Sequence, residues 1–395
     1  PYPTYARLRA ESPVFFDETW DLTFFARHRD VTGILKDRRF GRDARQAVPP
    51  DEIDPAVARR TYPSHLPTWT RYIRGSFIDL EPPSHTRIRR LVQWAFTRRA
   101  SETYRARLVA TAERLIEEAL AVGEMEAIKG LATPIPLTMI ADLLGVPSAD
   151  QPQLVDWSHA IVRVFDQGHT PVEGLAAERA VTEFVAYVTA LLGDRRAALT
   201  ESDDLVTALI KAEHEGDRLT EEELVATCIL TLNAGHEATV QAVGNSLLAL
   251  ARHPGEYARL GKDPGLIETA TDEMLRYDAP LQMFERWVLE DTDWAGTRLR
   301  RGHKVGLLFG SANHDESVFA DPEGLNLGRS DNPHVAFGGG VHYCVGAPLA
   351  KLELDVAIGA FARRVGEFAI DRTLERVPSL VFRGVTSLPL VISPR

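Results

Sequence analysis

Apolar residues recur at helical spacing along most of the chain. Residues 101–122, SETYRARLVATAERLIEEALAV, carry this pattern and stop before Gly123. Residues 172–193 repeat it, and 203–214 form a shorter helix opened by Asp203 and Asp204. The first residues, PYPTYARLRAESPV, are polar and helical in pattern. The longest helix opens at TEEE, where Thr220 and Glu223 make a capping box, and runs to Arg252 ahead of Pro254. At 1.5 Å per residue it spans roughly 50 Å. Strand signals are fewer: ERWVLED, KVGLLFG and LPLVISP are short, rich in Val and Leu, and bounded by turn residues. No internal repeat, low-complexity tract or linker is apparent. The pattern predicts a mainly α protein with a minor sheet built partly from the C-terminal third.

Composition narrows the class. The 395 residues are 44% hydrophobic and 26% charged, as in an ordinary globular protein. No run of about 18 apolar residues is present, and neither a signal peptide nor a membrane anchor is expected. A net charge of −11 argues against general nucleic-acid binding. Two distant cysteines, Cys228 and Cys344, do not make a disulfide framework, which points to a reducing, cytoplasmic setting. The acidity is uneven: Arg71, Arg74, Arg87, Arg89, Arg90, Arg98, Arg99, Arg105, Arg107 and Arg114 crowd one segment. They read either as a solvated helix face or as a basic patch for an acidic partner or an anionic cofactor.

The candidate chemistry begins at HVAFGGGVHYCVGAPLA, residues 334–350. Three glycines let the backbone approach a flat surface, since no Cβ intervenes. Cys344 lies just before an amphipathic helix with Pro348 near its start, where unpaired N–H groups and the helix dipole favour a thiolate. His342 on the same loop is poorly placed as the base of a cysteine protease. Zinc needs more ligands than these two residues supply, and a dinucleotide loop needs another glycine spacing.

The run from Phe337 to Gly346, FGGGVHYCVG, resembles the haem-binding loop of the cytochrome P-450 family. The resemblance implies that Cys344 is the axial thiolate, that His342 meets a haem propionate and that Phe337 shields the sulfur, with Gly338 and Gly346 part of the same loop. It covers nearly the whole chain in the family's order: arginine helix, long helix, Glu-x-x-Arg, cysteine loop. GAPLAKLEL after the cysteine is similar to the soluble bacterial branch. The implied architecture is one domain, residues 1–395: a mainly α cytochrome P-450 fold, a helical prism with a small β region enclosing haem b (iron protoporphyrin IX).

Other motifs take their meaning from this loop. Glu273 and Arg276 in ETATDEMLRYDAP share a helix face, and alone would read as an exposed ion pair. The resemblance makes them a buried structural pair joined by Arg329. In HTRIRR, His85 and Arg89 stand four apart and could reach one anion. With Arg286 they resemble propionate ligands, while Trp94 on that helix either approaches the haem edge or fills core, the latter being the expectation. In LTLNAGHEATVQA, Gly235 inside a helix costs about 1 kcal/mol against alanine and calls for a reason. Helix packing is one. The resemblance supplies another, that Ala234 and Gly235 open a groove for dioxygen.

Glu237 then fills the acid place of the family's acid–alcohol pair, which relays protons. Ala238 stands where the alcohol belongs. Thr239 is rotated about 100° around the helix and cannot be assumed to substitute. His236 is read as structural. Proton delivery through a substrate hydroxyl, or through water and Glu237, follows from this departure.

The implied function is haem-thiolate monooxygenation of a mid-sized organic substrate, a secondary metabolite, using dioxygen and two electrons. The electrons come from a small acidic ferredoxin or flavodoxin-type donor with its reductase, whose docking would use the arginines. No nucleic-acid or membrane partner is expected. Ala238 keeps a peroxygenase or oxidative coupling enzyme open. A non-catalytic scaffold is the remaining rival, disfavoured by the retained cysteine loop. Pocket candidates by family position are Trp69, Ile73, Phe77, Leu232, Asn233, Leu281, Gln282, Met283, Val385 and Thr386.

Overall fold

Thr220 and Glu223 cap the long helix as their spacing predicts. In a computed structural model, the Glu223 amide donates to Thr220 Oγ1 (3.2 Å) and the Thr220 amide donates to Glu223 Oε2 (2.9 Å). The helix so opened runs from Glu221 to Arg252. The structure describes residues 1–48, 52, 61–165, 168–198, 204–212 and 219–395. They cluster into two compact units, one of Pro1–Phe40, Ser101–Pro136 and Ala238–Arg395, the other of Gly41–Ala100 and Leu137–Glu237.

The first unit holds the sheets. Strands β1 (Val14–Asp17), β2 (Leu22–Phe25), β5 (Met283–Val288) and β8 (Lys304–Leu308) join in the order β1-β2-β8-β5, with β3 (Phe40–Gly41) at the edge as the chain leaves the unit. β2 runs parallel to β8 with Phe25 opposite Leu307, and β5 is antiparallel with Met283 opposite Leu308. Phe25, Val31, Ile34, Val305, Leu307 and Phe309 pack into a core beside this sheet. β4 (Glu124–Glu126), β9 (Val365–Ile370) and β10 (Pro389–Pro394) form a second sheet in the order β4-β10-β9. Between β5 and β8 in the chain, β6 (Thr292–Trp294) and β7 (Thr297–Leu299) make a small antiparallel ribbon.

β5, β8 and β10 correspond to ERWVLED, KVGLLFG and LPLVISP. β1 and β2 were not expected: the helical pattern read through Val14 gives way at Glu11, where the first helix ends, and β1 begins at Val14. The 101–122 segment is likewise not one helix. Arg98–Glu102 stops, and a new helix, Arg105–Val122, ends at Gly123 with φ +82°.

The second unit is helical. Ser84–Val92, Gln151–Val162, Pro171–Ala198 and Leu205–Ala212 accompany the first half of the long helix. Asp203 lies outside the described residues, while Asp204 Oδ1 accepts from the Thr207 amide at 2.7 Å. Trp69 is a core residue here: its indole N–H donates to the Ile161 carbonyl (3.3 Å) and its amide to Glu178 (2.9 Å). Trp94 is not core. It is 43% exposed, because the chain tightens into a 3-10 turn at Gln93–Phe96 that buries Ala95 and Phe96 instead.

Glu273 and Arg276, on the helix Ile267–Tyr277, are fully buried and doubly bonded, Nε to Oε2 at 2.7 Å and NH2 to Oε1 at 2.8 Å. Arg329 Nε adds a bond to Glu273 at 2.9 Å, the Asn326 amide another at 2.9 Å, and Asn332 Nδ2 a fifth at 3.2 Å. The remaining Arg276 protons go to the carbonyls of Asn313, Pro322 and Gly324. This pair is not the exposed ion pair that its spacing alone would suggest. Glu273→Ala leaves Arg276 buried without its counter-charge, and urea unfolding is expected to register a loss of about 3–5 kcal/mol.

Candidate functional site: the cysteine loop and the long helix

The cysteine loop is closed by its own backbone. The Gly338 amide donates to the Val335 carbonyl (2.8 Å) and the Cys344 amide to the Phe337 carbonyl (3.0 Å). Gly338 (φ +70°) and Gly340 (φ +67°) turn the chain through the left-handed region that suits glycine. At Gly340 space also decides, since a Cβ would lie 2.0 Å from the Leu35 carbonyl oxygen on the helix His28–Lys36. His342 ends a short 3-10 turn, Gly340–His342. Cys344 follows, exposed and in no disulfide, between Tyr343 and Val345. Val341 and Tyr343 are exposed too, at 55% and 43%. Gly346 is the N-cap of the helix Ala347–Arg364, so the thiol stands beside that helix's N-terminal amides.

Two contacts invisible in the sequence fasten this loop. Asp272, one residue before Glu273, reaches His334 at 3.3 Å ahead of the loop and Lys351 at 2.5 Å after it. Burial alone would push the Asp272 carboxyl up, but the bonds from His334 and Lys351 outweigh it and hold it below the ordinary range. Asn313 Oδ1 accepts from the Val335 amide at 2.8 Å, and the Asn313 carbonyl accepts from Arg276. The loop's entry is thereby joined to the Glu273 network.

Between Leu224 and Leu250 the long helix is buried except at Leu230, Thr231, Ala234, Gly235 and Ala238. Thr231, Gly235 and Ala238 are half-buried and Ala234 is exposed, whereas Leu232, Asn233, His236, Glu237 and Thr239 are buried. Gly235 packs against Ile140, whose Cδ1 would lie 3.2 Å from an added Cβ, so close packing accounts for this glycine. The Thr239 hydroxyl is hydrogen-bonded to Glu353, a fully buried acid on the helix Ala347–Arg364. Burial pushes the Glu353 carboxyl up to about 8, against a weaker opposite effect of that hydroxyl. Glu237 Oε2 lies 3.7 Å from Nε2 of the exposed His159. His236 is pushed down to about 4, first by burial and then by His159, so it is neutral at neutral pH.

The basic candidates lie apart in the chain. Arg286 is buried on β5, with its guanidinium 5.2 Å from the Phe284 ring and NH1 donating to the Glu285 carbonyl. His85 is buried and Arg89 half-buried on the helix Ser84–Val92, with the Phe77 ring 6.2 Å from that of His85. Of the arginine-rich segment, Arg71 pairs with Glu222, Arg74 with Asp79, Arg87 with Glu223, Arg105 with Glu102 and Arg114 with Glu118. Asp79 and Glu102 lie within that segment and Glu118 just beyond it, while folding supplies Glu222 and Glu223 from the long helix.

Pocket candidates divide by environment. Ile73 is buried in a π-helical turn, Thr70–Arg74. Gln282 Nε2 donates to the Ala279 carbonyl (2.8 Å), and Met283 packs in a core cluster. Leu281 bridges to Phe382 and Val385 to Arg376, and Thr386 is exposed. Asn233 differs: its side-chain N and O are both buried without a hydrogen-bond partner among the described residues. Cys228 is buried and free, its thiol pushed up to about 12 chiefly by burial.

A mainly α fold with small sheets and an exposed cysteine ahead of a helix defines a class that the comparisons identify. The Cytochrome P450 family model matches residues 54–263 and 265–366. The polyketide biosynthesis cytochrome P450 PksS of Bacillus subtilis (strain 168) is 32% identical over 403 residues, spanning 100% of this chain and 96% of the relative. The cytochrome P450 monooxygenase PikC of Streptomyces venezuelae is 34% identical over 404 residues, spanning 99% and 90%. Among solved structures, P450BioI in complex with a hexadec-9Z-enoic acid ligated acyl carrier protein matches with TM-score 0.90 at 32% identity, covering 100% of this chain and 98% of that one. The chain belongs to the cytochrome P450 family, whose members hold haem through a cysteine thiolate, and it is a cytochrome P450 monooxygenase. No helix among the described residues is long and apolar enough to cross a membrane.

Glu353 gives a pH signature. Its folded value, about 8, exceeds the ordinary 4.5, so its contribution to stability is full below pH 4.5 and is lost as pH rises through about 8. Thermal melts of Glu353→Gln are expected to lack that decline between pH 5 and 8.

Proposed function

We propose that this chain uses haem b, held by Cys344, to insert one atom of dioxygen into a mid-sized organic substrate. The observation that carries the reading is the exposed Cys344 thiol at the start of the helix Ala347–Arg364, flanked by exposed Val341 and Tyr343. Apolar side chains and a thiol presented together fit a flat apolar ligand with a metal better than they fit water. The donor set agrees: a soft thiolate at Cys344 for iron, with the basic side chains of Arg286 and His342 in the same unit for carboxylates. The uncovered stripe of Ala234, Gly235 and Ala238 supports an oxygen-side groove on the long helix. When bound, haem supplies an iron centre whose thiolate ligand favours O–O cleavage.

The chain's residues then divide the work. The helix dipole beside Cys344 favours the thiolate over the thiol. Thr239 is no substitute for the missing alcohol, because its hydroxyl is engaged by Glu353. Glu237 is the acid of the relay, and the exposed His159 at 3.7 Å connects it to solvent. From Glu237 the proton passes through water or a substrate hydroxyl across the gap at Ala238. The unpartnered amide of Asn233 offers a polar handle for such a substrate. Electrons come from a small acidic ferredoxin or flavodoxin-type donor in the cytoplasm. The exposed Arg90, Arg98 and Arg99 provide its docking charge.

Two measurements test this. Reduced wild-type protein treated with carbon monoxide is expected to absorb at the thiolate position, and Cys344→Ala to lose that band. With isotopically labelled dioxygen the product is expected to carry the label, and Glu237→Gln to slow turnover roughly 10²–10⁴-fold. An unlabelled product would sink the monooxygenase reading. It would favour the coupling or peroxide-driven chemistry that Ala238 leaves open.

A further inference from the structure

We propose that His159, His236 and Glu237 form a binding site for a divalent transition-metal ion of the Zn²⁺ type. All three belong to the second unit, His159 on the helix Gln151–Val162 and the other two on the long helix. One ligand atom from each lies within 4.8 Å of the others, with His159 Nε2 and Glu237 Oε2 at 3.7 Å. The two imidazole rings are 5.9 Å apart between centroids.

The independent observation is His236 itself. It is fully buried, and neither ring nitrogen meets a hydrogen-bond partner among the described residues. A neutral imidazole carries one N–H and one lone pair, and leaving such buried groups unmet is unfavourable. A metal ion would take the lone pair.

The geometry is close to sufficient. Tetrahedral zinc, with bonds of about 2.0–2.2 Å, sets its ligand atoms on the order of 3.4 Å apart. The cluster, whose ligand atoms lie within 4.8 Å of one another, must therefore contract by up to about 1.4 Å. Two nitrogens, one carboxylate and a fourth position open to water suit Zn²⁺, Co²⁺ or Ni²⁺. They do not suit Mg²⁺ or Ca²⁺, which take oxygen shells. Exposure of His159 gives the ion an entry path. A bound ion would also take Glu237 out of the proton relay. That consequence rests on the proposed function, whereas the binding itself does not.

The test is calorimetric titration of the chelator-treated holoprotein with ZnCl₂ at pH 7, with MgCl₂ as control. One Zn²⁺ per chain at micromolar Kd is expected, with no response to Mg²⁺. His159→Ala, at the exposed position, and Glu237→Gln should each weaken binding at least tenfold while the ferric haem spectrum reports an intact fold. Absence of stoichiometric uptake by the wild type would overturn the proposal. So would variants that bind like the wild type, since the heat would then come from other histidines.

Discussion

Glu273, fully buried, pairs with two guanidinium groups, and the chain from Asn313 to Asn332 is arranged around that demand. A buried ion pair is stabilising only when every lone pair and proton is met, because desolvating both charges costs several kcal/mol. Here Arg276 spends five bonds on Glu273 and on the carbonyls of Asn313, Pro322 and Gly324. The chain from Asn313 to Asn332 has little regular structure to satisfy its own backbone. It is instead folded onto the helix Ile267–Tyr277 by these groups. Against a typical domain stability of about 5–15 kcal/mol, the loss of this hub is large.

The cysteine loop inherits its position from the same helix. Asn313 connects the hub to Val335, and Asp272 holds His334 and Lys351 on either side of the loop. Glycines at 338 and 340 supply freedom that a loop of ordinary residues lacks, and these contacts remove it again at defined points. A site meant to hold a metal through one thiolate needs that fixation, since a single bond does not orient its own ligand.

Legibility in the sequence varied with the range of the interaction. The capping box at Thr220 and Glu223, the long helix and strands β5, β8 and β10 were readable because each depends on neighbours a few residues away. β1 and β2 were not, since β2 pairs with β8, joining residues near 23 to residues near 305, and β1 is held against β2. Trp94 was misplaced because a 3-10 turn shifts helical phase by an amount that periodicity cannot anticipate. Glu353 had a weak signal, an acid flanked by Leu352 and Leu354, but its partner Thr239 lies more than a hundred residues away.

The sequence by itself determined the family, through a loop whose glycines, histidine and cysteine are local in the chain, and it exposed the departure at Ala238. Which group the Thr239 hydroxyl meets was decided only by tertiary structure. A hydroxyl's role depends on which partner occupies it, and Glu353 does so from another helix. The same holds for charge. Arginine content is written in the chain, but its pairing with Glu222 and Glu223 is made only when distant helices meet.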